Sequence, residues 1–164
     1  MKRNILLLIA AAALAIVPAA FAETSTISVL VGPEASFVSN SATTTMSKGN
    51  TTFGDYTGTT DFTYKIRTTT GGGTGSITVL VTAFGANGPV VGDLAYTCTA
   101  ASGTACATST PASTTVASSV VAFAADIHSA DAGDAGTAVW TLADRTIMKT
   151  GTYTSTATFT ISAA

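Results

Sequence analysis

Charge is what this sequence has least of. Only 10% of its 164 residues are Asp, Glu, Lys or Arg, and its one histidine is His128. No basic patch with interleaved aromatics exists, so nucleic-acid binding is not indicated. Any Ser-His-Asp arrangement would have to be built on His128, and no G-x-S-x-G elbow is present to hold a serine nucleophile. The carboxylates Glu34, Asp55, Asp61 and Asp93 fall near strand ends and loops, not as the facing pair that glycoside hydrolysis needs. The glycine run Gly71–Gly75 lacks the Lys-Ser/Thr of a phosphate-binding loop. The expectation is a protein that is not an enzyme and takes no cofactor. Helix signals are missing as well. After residue 22 no segment carries an apolar stripe of helical period, although the Ala-rich stretch Ala122–Ala132 has room for one turn before Gly133.

Cysteine is scarce too, with Cys98 and Cys106 alone. Their spacing is not C-x-x-C, so neither a redox motif nor a zinc knuckle is indicated. The residues between them, including Ala101-Ser102-Gly103, have the composition of a turn. The expectation is a disulfide stapling two short antiparallel strands across a loop, formed in an oxidising compartment.

The N-terminus agrees with that compartment. Lys2 and Arg3 precede an apolar run, Ile5–Val17, which Pro18 ends before Ala20-Phe21-Ala22. This is the pattern of a bacterial-looking secretory signal peptide, residues 1–22, cut between Ala22 and Glu23. The alternative, a retained anchor, needs roughly 20 apolar residues to span a bilayer, and the run is shorter. No membrane span is expected after cleavage. Residues 23–164 have the length of a single domain and hold five basic residues against nine acidic ones. The protein is expected to be exported, to the exterior, the cell surface or the periplasm.

What is abundant is threonine: 33 residues, all after residue 22. Threonine is β-branched, favours strands and covers a wet sheet face without charge. Thr/Ser alternates with apolar residues in segment after segment, a period of two that puts one set on each face of a strand. The clearest is Thr152–Ser162, with Tyr153, Ser155, Ala157, Phe159 and Ile161 on one face. Others are expected at Thr24–Val31, Ser36–Ser47, Thr60–Thr69, Ser76–Phe84, Leu94–Thr99, Ala105–Ser109, Thr114–Ala124 and Thr137–Ala143. Thr60–Thr69 and Ser76–Phe84 read as a hairpin across the Gly71–Gly75 turn. Eight or nine short, mostly antiparallel strands at intervals of about 8–12 residues indicate an all-β, Ig-like sandwich, with a barrel as the alternative.

Two further groups invite a functional reading. Asp126, His128, Asp131 and Asp134 place four potential metal ligands in nine residues. The EF-hand spacing and its bidentate Glu are absent, and one histidine is a thin basis for a transition-metal site, so the segment is read as a polar loop that is dispensable for stability. Trp140 alternates with Ala138 and Leu142 and is read as a core anchor, the alternative being an exposed sugar-stacking platform. Phe53 and Tyr56, placed in one loop, are the best exposed-aromatic candidates.

The leader, the Thr-rich strands and the stretch Gly151–Ala163 resemble small secreted bacterial surface proteins with an Ig-like sandwich: spore-coat-U proteins, fimbrial subunits and WxL cell-surface domains. Trp140-Thr141-Leu142 with Asp144 is similar to the WxL motif, but stands alone and some twenty residues before the end. The resemblance implies a structural or adhesive surface role, without cofactor or catalytic residue. Partners would be further copies of the chain, joined by strand addition, or other surface proteins. The rival expectation is a monomeric extracellular module that binds carbohydrate or a surface partner.

Overall fold

The computed structural model describes residues 25–164. The expected signal peptide, with its expected cleavage site at Ala22 and Glu23, and Thr24 lie outside them. Ten strands follow in chain order: β1 (Glu34–Ser39), β2 (Ser47–Lys48), β3 (Tyr56–Arg67), β4 (Gly75–Val81), β5 (Leu94–Ala100), β6 (Thr104–Ala105), β7 (Thr110–Pro111), β8 (Ser118–Phe123), β9 (Asp134–Leu142) and β10 (Ala157–Ala163). A single 3-10 turn, Val91–Asp93, precedes β5.

The strands form two sheets, and every ladder is antiparallel. The first has the order β1-β3-β9-β5-β7, with β2 also on β3; the second is β10-β4-β8-β6. Two separate sheets with a shared core make the fold an all-β sandwich. The period-two pattern explains which residues meet between them. Phe62, Tyr64 and Ile66 of β3 are buried while Asp61, Lys65 and Arg67 point to water. Ile77, Val79 and Val81 of β4 close the core from the other sheet. Phe37, Phe62 and Phe159 stack at one side of this core, with Phe37 and Phe159 ring centroids 5.2 Å apart. Trp140 is 4% exposed, packs against Tyr96 and takes the anchor role, so it offers no sugar platform.

Several expectations about partners do not hold. Residues 25–33 carry no strand, so the expected strand Thr24–Val31 is absent; the first strand begins after Pro33. Within Ser36–Ser47 the strand stops at Ser39 and resumes only as β2. β3 and β4 are not a hairpin. They lie in opposite sheets, and the glycine run between them is a crossover. Gly73 is needed there for close approach, because a Cβ on it would collide with the Ala164 carbonyl and the Thr69 amide. Nor are β5 and β6 partners in one ladder: β5 pairs with β9 and β7, β6 with β8. The Cys98–Cys106 disulfide is present, with Cα atoms 4.9 Å apart, but it ties one sheet to the other. The amide of Cys98 donates to the Cys106 carbonyl beside it, at 2.8 Å, while the Cys106 amide donates to Val120 of β8.

Candidate functional site

The loop after β8 was the sequence's most concentrated set of ligating residues, and the structure uses it differently. Asp126 has a left-handed backbone, φ 60°, and its carboxylate accepts a bond from the Thr70 hydroxyl. Asp134 starts β9, and its carboxylate accepts from the Ala130 amide, closing a local turn. His128 and Asp131 are exposed. Among the described residues no three His, Cys, Asp or Glu side chains converge as a metal set. The loop is not a free excursion, however, because its backbone is tied to the end of β3. The Thr68 hydroxyl, on a residue 5% exposed, accepts from the Ile127 amide and donates to the Ala124 carbonyl. Ser129 exchanges bonds with the Ile66 backbone, and Arg67 bridges His128 as a strand neighbour. The loop thus extends the first sheet beyond the start of β9.

The other acidic residues are paired or exposed. Arg67 donates to Glu34 at 3.1 Å, Arg145 to Asp93 at 2.8 Å and Lys48 to Asp144 at 3.0 Å. The hydrogen bond that Lys48 donates to Asp144 is the main cause that raises its pKa, so this lysine stays protonated. Asp55 and Asp61 are exposed. A shallow groove of about 420 Å³ runs along Glu34, Lys65, Arg67, His128 and Asp131, with both signs of charge on its walls.

The strand edges are more distinctive. At one flank the sheets end in β6 and β7, two residues each, next to the disulfide. At the other they end in β1 and β10, six and seven residues long. Short strands, charges and prolines are the usual protection of an edge. β10, Ala157-Thr-Phe-Thr-Ile-Ser-Ala163, has none of these. The Thr82 amide donates to Thr156, and the Ala164 amide to Thr74. Antiparallel alternation from these bonds turns the even-numbered residues of β10 toward β4 and leaves the N–H and C=O of Ala157, Phe159, Ile161 and Ala163 on the side where, among the described residues, no strand pairs. β10 matches the expected face, with Phe159 and Ile161 inward, but as an edge strand it leaves them only half-buried.

No family model, curated protein or solved structure matches this chain. Function must therefore be argued from these surfaces.

Sequence reasoning missed two features. Thr24–Val31 is read from its alternation as a strand, yet Ile27, Val29, Leu30 and Val31 are 94, 82, 97 and 59% exposed. Phe53 is on a turn as expected, but Tyr56 is the first residue of β3, and Lys48 and Asp144 join the two aromatics in one cluster. The alternation in Ser47–Lys48 is too short to have revealed that.

Proposed function

We propose that this chain is a secreted, non-enzymatic structural or adhesive surface protein, a subunit of a pilus, coat or surface layer that joins other copies by strand addition. The observation that carries this reading is the seven-residue edge of β10, free of charge and proline, in a chain that also holds an exposed apolar segment at Ile27–Val31. A free edge offers unpaired backbone groups, and an alternating apolar segment supplies the matching strand. Ile27, Val29 and Val31 would share one face of such a strand. The sparse charge and Thr-covered surface suit dense packing of copies. Among the described residues no helix is long and apolar enough to cross a membrane. The resemblance of Gly151–Ala163 to fimbrial and spore-coat-U proteins supports the same role.

The test is light scattering after size exclusion, with electron microscopy of the purified protein. Multimers or filaments are expected. Replacing Ala157 and Ala163 by proline removes two of the four outward amides, one at each end of the edge, without removing a donor from the ladder to β4. That variant should fold and remain monomeric. A wild-type protein that is monomeric at every concentration sinks the reading.

A further inference from the structure

β2 and β3 are joined by a tight turn in which the Gly54 amide donates to the Thr51 carbonyl at 3.0 Å. Phe53 sits at its tip with φ 55°, in the left-handed region where a residue with a bulky Cβ is strained. Glycine or asparagine would occupy that position at less cost. The Phe53 side is also 56% exposed. One residue therefore carries two local penalties, a strained backbone and a large apolar ring in water, and such coincidences mark ligand contacts.

The surroundings of the ring are polar and fixed. Lys48 faces Tyr56 directly across the β2–β3 ladder. Its ammonium lies 5.9 Å from the Phe53 ring centroid, 5.4 Å from that of Tyr56 and 3.0 Å from the Asp144 carboxylate. The Asp144 side chain is 10% exposed and that of Lys48 35%, so the pair is held yet reachable. An ammonium has three donors and a carboxylate about four acceptor sites, and one bond between them leaves most of that capacity unused. Their charges cancel, so a charged ligand gains little here, whereas an uncharged polyhydroxyl ligand can use both.

We propose that Phe53, Lys48 and Asp144 form a binding platform for a neutral pyranose chain. The Phe53 ring stacks on the C–H face of a sugar, and Lys48 and Asp144 take hydroxyls on the same or the adjoining sugar. Half-buried Tyr56 fixes the base of the platform through β3. The site is independent of the β10 edge, so it serves an assembled subunit and a monomer alike.

Isothermal titration with hexasaccharides of β-1,4-glucose and of β-1,4-N-acetylglucosamine tests the proposal, with a galacturonate hexamer as the charged comparison. The expected result is saturable binding to a neutral hexamer with Kd at or below about 1 mM. Phe53→Gly should weaken it at least about tenfold, with a melting temperature unchanged or raised by relief of backbone strain. Phe53→Tyr keeps the aromatic face and should retain binding, and Asp144→Asn should weaken it. Absence of saturation with both neutral hexamers overturns the proposal. So does tighter binding of the charged hexamer, or a Phe53→Gly protein with wild-type affinity.

Discussion

The indole N–H of Trp140 donates to the hydroxyl of Thr60, 2.9 Å away, across the β3–β9 ladder. Both residues are buried, at 4 and 6% exposure. An indole can enter a core only if its N–H finds a partner, and here a threonine on the inward face of β3 supplies one. Thr60 bonds Thr44 in turn, which ties the segment before β2 to the same point. Trp140→Ala should cost about 3–5 kcal/mol. Thr60→Val keeps the shape but orphans the indole, and should cost about 1–3 kcal/mol. Urea unfolding of both variants, of Trp140→Phe and of the Thr60→Val, Trp140→Phe double mutant checks this. The double mutant should recover part of the Thr60→Val loss. Additive losses would mean the bond contributes nothing.

The disulfide should matter despite its short loop. On the entropic model, closing a loop of this size stabilises by about 2–3 kcal/mol. Because Cys98 lies in the first sheet and Cys106 directly follows β6 of the second, its loss also loosens the flank where the edge strands are shortest. Intact mass of non-reduced protein should lack two thiol protons. Melting should fall on reduction, and an unchanged melting curve would refute the argument.

Tyr96 makes stability sensitive to alkali. Burial raises its phenol pKa, partly offset by the side chain of Ser118, and its hydroxyl donates to the Ser119 carbonyl at 3.0 Å. The native state thus holds the proton more tightly than the unfolded chain does. The stabilisation is complete below the unfolded tyrosine pKa of about 10 and is lost as pH rises through the higher native value. Chemical denaturation at stepped pH should reveal this loss above about pH 10. Tyr96→Phe should flatten that limb of the curve, and an unaltered alkaline limb would contradict the assignment.

The loop after β8 should prove to be held by Thr68. Thr68→Val leaves the Ile127 amide without its hydroxyl partner and should cost about 1–3 kcal/mol. Hydrogen exchange should quicken at Ile127 and Ser129 before the rest of the sheet. Titration with Ca²⁺ or Zn²⁺ should give no micromolar binding that Asp131→Ala abolishes.

Faces were legible in the sequence, and neighbours were not. Alternation in Phe62, Tyr64, Ile66 and in Ile77, Val79, Val81 locates the inward side of β3 and β4, because side-chain direction is a local property of extended backbone. It does not say which strand lies alongside. The glycine run between them suits a hairpin turn and a crossover equally well, and only the docking of Ala164 against Gly73 decides. The same limit made Ile27–Val31 read as an internal strand. Phe53 was visible as an aromatic near a turn. Its cluster was not, because Asp144 reaches Lys48 across 96 residues of sequence.

The order of strands in the first sheet also sets how the chain must fold. β9 lies between β3 and β5, although it follows both in sequence. Tyr56 meets Leu142, and Leu94 meets that same Leu142 from the other side. Neither β3 nor β5 can complete its ladder early, so this sheet has no stepwise zipper from one end to the other. Long loops must close before β9 pairs, and topologies of this kind fold on millisecond-to-second timescales, not microseconds. Until β9 arrives, the edges of β3 and β5 that will face it have no ladder partner, so the pairing of this one strand completes two ladders at once.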